Sequence, residues 1–140
     1  MTTFDEIFEI YLNRITTYKL LKLTEDERYD DLMLKLKMAL ARFDNIEEVQ
    51  VDYNTRLFNR QLSPIEIDIL SFLMICEWLK PMVLSEESLS NKLSSKDYDV
   101  YSPANLLAQL RSVKKDSDNE VGRLMNKYGF VKGYLKKQVK

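Results

Sequence analysis

Residues 63–81 read SPIEIDILSFLMICEWLKP, and this stretch decides the fold. Ser63 has the side chain of a helix N-cap, Pro64 suits the first helical position, and Glu66 completes an S-x-x-E capping box. Pro81 is expected to end the run, because its ring removes a backbone donor and crowds the preceding turn. Between these signals lie Ile65, Ile67, Ile69, Leu70, Phe72, Leu73, Met74, Ile75, Trp78 and Leu79. A helix that is apolar on most of its faces is buried on most of them. Residues 63–80 are therefore expected to form the central helix of an all-α bundle of four to five helices. Ile69, Leu70, Leu73 and Trp78 should sit in its core, with Leu107 and Leu110 facing them from a later helix.

The sequences on either side fit that centre. Phe4, Ile7, Phe8, Tyr11, Leu12 and Ile15 recur at three-and-four spacing, which predicts a helix over 3–18 with Asp5, Glu6 and Glu9 near its N-terminal dipole. Thr24 and Glu27 form a second capping box, opening a helix expected to reach Phe43. Tyr29, Leu32, Met33, Leu36, Leu40 and Phe43 mark its buried stripe. Leu34 and Met38 fall off that stripe, where they are placed to meet a partner. The pattern weakens over 44–62, a long loop with short extended pieces expected at 49–53 and 56–58. Loops of this length in a compact domain are often functional, and Asp52, Asn54 and Arg56 are the candidates for contact with a neighbouring subunit.

After Pro81, a weaker fourth helix is expected over 82–93, then a turn and an extended piece over 94–100. Ser102 and Pro103 repeat the cap-and-proline opening and begin a long helix near 103–128, which Gly129 should terminate. Residues 129–140, GFVKGYLKKQVK, hold four lysines and no acid. They carry +4, which leaves −5 for the rest of a chain whose formal net charge is −1. Phe130, Val131, Tyr134 and Leu135 are interleaved with Lys136 and Lys137, so these six residues are the candidates for docking on another protein. A simpler alternative is a solvated terminus. The expected division is a helical-bundle domain over 1–128 and an extended docking tail over 129–140.

Composition narrows the chemistry. The chain has 140 residues, which suits one domain, and its 31% charged and 45% hydrophobic residues are ordinary for a globular protein. Histidine is absent, which removes the commonest general base and metal ligand. The one cysteine, Cys76, lies in the most apolar helix and reads as a small hydrophobe. The paired acids Asp30–Asp31 and Glu47–Glu48 point to different faces and read as solvated charge. Asp97 and Asp99 lack the glycine and glutamate of a calcium loop. No Walker loop, GxGxxG or CxxC occurs. The expectation is a protein that is not an enzyme, with no cofactor, no metal and no membrane segment.

Three segments carry a resemblance. LSPIEIDILSFLMICEWLKP, then SSKDYDVYSPANLLAQLRSVKK and NEVGRLMNKYGF, resemble short structural proteins of tailed bacteriophages of Gram-positive hosts. The matching residues are Glu66, Ile67, Ile69, Leu70, Leu73, Met74 and Glu77 to Pro81, then Ser95 to Tyr98, Val100 to Ser102, Ala104, Asn105 and Leu107. The resemblance implies a head-to-tail connector, also called an adaptor, head completion or neck protein. It implies a homo-oligomeric ring of about twelve copies to match the portal. Its partners would be the portal protein, the next neck or tail-completion protein, and DNA that passes through the channel without sequence-specific binding. Its location would be the virion neck, after assembly in the host cytoplasm. The alternative is a small helical regulator or inhibitor that binds nucleic acid or a host protein.

Overall fold

The computed structural model describes residues 1–16, 29–46, 48–101 and 106–138, with side chains given through residue 98 and from Leu106 to Lys132 in the second half of the chain. Among the described residues there are five helices: α1 (Phe4–Thr16), α2 (Tyr29–Arg42), α3 (Pro64–Lys92), α4 (Ser95–Tyr101) and α5 (Leu106–Gln138). The small hairpin β1 (Val51–Asp52) and β2 (Leu57–Phe58) completes the chain. The protein is a small all-α helix bundle.

The start of α3 follows from its sequence. Ser63 is extended, its hydroxyl accepts from the Glu66 N–H, and the Glu66 carboxylate accepts in return from the Ser63 N–H at 2.8 Å. From this cap α3 runs through the centre, packing against α1, α2 and α5. Ile69, Leu70, Met74, Ile75 and Leu79 are fully buried, and Leu73 and Trp78 almost so. Leu107 and Leu110 of α5 are buried, Leu110 within the same core as these residues. Each fully buried Leu or Ile stabilises the fold by about 1.5–3 kcal/mol before chain entropy is counted. Together they explain why this helix dominates the architecture.

Pro81 does not end α3. The helix continues to Lys92, so the expected separate fourth helix over 82–93 is its second half. A proline inside a helix costs about 3 kcal/mol relative to alanine. Contacts beyond it offset that cost: Val83 is buried, Met82 packs on the core, and Glu87 reaches Arg111 of α5. α3 ends instead at Leu93, which is extended. Ser94 then caps α4 through its hydroxyl and the Asp97 N–H. Residues 95–101 are thus helical rather than extended, and Tyr98 seals α4 by donating its hydroxyl proton to Glu86 at 3.0 Å.

Gly129 does not end α5 either. The helix passes through it to Gln138, and no glycine among the described residues takes a positive φ. Glycine weakens a helix by only about 1 kcal/mol, less than the hydrogen-bonded ladder and its anchors supply. The expected extended tail is therefore a helical extension over its described part, which ends at residue 138. The expected opening of the second helix at Thr24 and the Ser102–Pro103 cap lie outside the described residues.

The 44–62 segment holds the expected extended pieces as a two-stranded antiparallel hairpin, with Val51 opposite Phe58 and Asp52 opposite Leu57. The chain's first residues pair with it. Phe58 N–H donates to the Thr2 carbonyl, Thr2 N–H to Arg60 and Phe4 N–H to Arg56. Phe4 meets Phe58 edge-on at 5.2 Å between ring centres. The hairpin is thus tied to the start of α1 and lies over the core.

Candidate functional site

The polar centre of the bundle is Glu66, at the third position of α3. Its side chain is 3% exposed. It accepts two hydrogen bonds from the Arg60 guanidinium at 2.9 and 2.6 Å, one from Ser63 N–H at 2.8 Å and one from the Tyr128 hydroxyl at 2.9 Å. Burial alone would raise the carboxyl pKa. The donors, Arg60 foremost, outweigh burial and bring it down to about 2. A buried carboxylate this well satisfied is a structural clamp. It ties the loop before α3, the start of α3 and the distal part of α5 to one point.

Tyr128 carries the clamp to the end of α5. Its ring lies edge-on to Phe43 at 5.2 Å. One turn later, Lys132 donates to the Asn45 carbonyl at 2.9 Å. These two anchors fix where α5 leaves the bundle. Between them, Phe130 is 76% exposed and Val131 is 44% exposed. Both candidate docking residues with described side chains therefore face water, beside a lysine. Tyr134, Leu135, Lys136 and Lys137 follow on the same helical backbone; their side chains lie outside the description.

The loop candidates gather in one turn. The Asp52 carboxylate accepts from the N–H groups of Asn54 at 2.9 Å and Thr55 at 3.3 Å. Those backbone bonds hold its pKa below the usual range. Arg56 takes a left-handed φ of 60°, donates its N–H to the Asp52 carbonyl at 2.8 Å, and lies 4.0 Å over the Tyr29 ring. Asp52 and Arg56 thus shape the turn and fasten it to α2, while Asn54 is exposed.

Two surface features were only partly visible in the sequence. Leu34 and Met38, off the buried stripe of α2, are 54% and 44% exposed. Between α3 and α5 lies an open groove of about 640 Å³, whose walls include Lys80, Leu84, Arg111, Lys114 and Lys115. Nothing local in the sequence marks this groove, because it depends on α3 continuing past Pro81.

Cys76 is buried, and its thiol is pushed up to about 12, first by burial and then by the Asp118 carboxylate it faces. It holds its proton across the physiological range, as a small core residue does. Among the described residues, no cluster of three potential metal ligands occurs. No described helix is long and apolar enough to cross a membrane. Comparisons of the chain with protein-family models, with curated proteins and with solved structures found no match.

Proposed function

We propose that this protein is a structural subunit of a tailed-phage virion, a head-to-tail connector that joins a ring beneath the portal. In this role the bundle is a rigid body and the distal part of α5 is the arm that docks on another protein. One observation carries the reading: a helical extension anchored at Tyr128 and Lys132 holds Phe130 and Val131 out to solvent, within a segment rich in lysine. Exposed apolar residues on an anchored, cationic helix suit recognition of an acidic groove, the helix-in-groove mode of protein contact. The motif resemblance supplies the class of partner, the portal, and the ring that would line a DNA channel. A nearly neutral subunit suits such a channel, since strong cationic attraction to phosphate would hold the DNA back.

The test has two parts. Quantitative mass spectrometry of purified particles should find this chain at a fixed ratio near one copy per portal subunit. Its absence from particles, with abundance in infected cells, would refute the structural role and favour a regulator or inhibitor. In addition, Phe130→Asp with Val131→Asp should leave the helical circular dichroism unchanged and abolish binding to the portal protein of the same virus. Unchanged binding would remove the arm from the mechanism.

A further inference from the structure

The exposed side of α2 and the groove between α3 and α5 have complementary character. On α2, Leu34 and Met38 stand one turn apart and face outward. Asp30 and Asp31 lie exposed at the N-terminal end of the same helix, with no ion-pair partner among the described residues. The groove offers the opposite pattern. Leu84 is 62% exposed on its wall, flanked by Lys80, Arg111, Lys114 and Lys115; the first three pair with Glu77, Glu87 and Asp118, which leaves Lys115 as the cation open to a partner. Lys115 is exposed and has no ion-pair partner among the described residues.

The dimensions agree as well. Asp30 to Met38 spans about 12 Å of helix axis, and the α3 wall from Lys80 to Glu87 spans about 10 Å. An apolar helix face of this length, with two acids at its N-terminal end and its Lys37 drawn onto the Tyr53 ring, fits a groove with an apolar wall of the same length and Lys115 on its rim. We infer that the α2 face of one copy seats in the α3–α5 groove of the next. The occupant is a second copy of this chain, chosen because the complementary face is present on the same molecule. The two patches share no residue, so the contact is heterologous and repeats from subunit to subunit. This inference rests on the ring reading above and names the interface that would build the ring.

The experiment is sedimentation velocity and native mass spectrometry of the full chain at low ionic strength. Two variants are used, one blocked on the helix face (Leu34→Glu with Met38→Glu) and one blocked in the groove (Leu84→Glu with Lys115→Glu). All four positions are surface positions, and circular dichroism checks the fold. The parent chain should self-associate with rising concentration, and each variant alone should be monomeric. An equimolar mixture of the two retains one intact face and one intact groove, so it should stop at a heterodimer. A parent chain that stays monomeric up to about 1 mM overturns the inference, as does a mixture that never forms the heterodimer. Variants that assemble as well as the parent also overturn it, while leaving the ring reading intact. Failure of the ring reading itself is seen separately, in the copy number within particles.

Discussion

Replacing Glu66 by glutamine should make this protein less stable and remove much of its acid sensitivity. In the folded state the carboxyl pKa lies at about 2, against an ordinary 4.5. That difference corresponds to about 3 kcal/mol of stabilisation by the ionised form. Because the folded value is the lower one, the stabilisation is complete above pH 4.5 and is lost as pH falls from 4.5 toward 2. Glutamine keeps the shape and one acceptor oxygen. It puts an amide N–H where Arg60 already donates, and leaves a guanidinium half-buried without its counter-charge. At pH 7, Glu66→Gln should therefore cost about 2–4 kcal/mol, and Glu66→Ala about 3–5 kcal/mol.

Urea unfolding at pH 7 and at stepped pH values down to 3 measures both effects. The gap between the parent and the glutamine variant should be widest above pH 5 and should narrow as the parent's carboxyl is protonated. A cycle with Tyr128→Phe should be non-additive, since Tyr128 donates to the same carboxylate. A glutamine variant as stable as the parent at pH 7 would refute the clamp. A gap that stays constant with pH would show that shape, not charge, is what Glu66 contributes.

Other expectations follow from the two helix breakers and the buried thiol. Pro81→Ala should stabilise the protein by about 1–3 kcal/mol in urea unfolding, because the helix already runs through this position; destabilisation would mean that the proline's shape is needed for packing beyond it. Cys76 should resist a thiol reagent in the native protein and react fully in urea, since it is buried and holds its proton to about pH 12; rapid labelling of the native chain would contradict the packing of α3 on α5.

What the sequence reveals here is mostly what is local. The capping box of Ser63 and Glu66, the apolar faces of α1, α2 and α3, and the extended pieces near Val51 and Leu57 rest on signals within a few residues of one another. The breakers were misleading for the same reason. Pro81 and Gly129 weaken a helix in isolation, but Met82 and Val83 on one side and Lys132 on the other add contacts that local propensity does not register. The clamp was half legible. A carboxylate at the third position of a very apolar helix already implied a capping role. Nothing within reach of Glu66 in the sequence points to Tyr128, 62 residues away.

The same distinction separates the charges that hold the fold from those available to a partner. Glu66 is sheltered from solvent and its partner Arg60 is half-buried, and salt screens such a pair less than an exposed one. Glu87 with Arg111 and Lys114 with Asp118 close pairs within the bundle. Asp30, Asp31 and Lys115 are exposed and close none among the described residues, while residues 129–140 carry a sequence charge of +4. Exposed, uncompensated charges are the ones added salt screens, over a distance of about 8–10 Å near physiological ionic strength. Raising sodium chloride from about 0.05 to 0.5 M should therefore weaken self-association and portal binding, while the urea midpoint at pH 7 barely moves. If the midpoint fell in step with association, surface charge would be holding the fold together. If association were unmoved by salt, Leu34, Met38 and Leu84 would have to supply the contact without help from the acids and lysines around them.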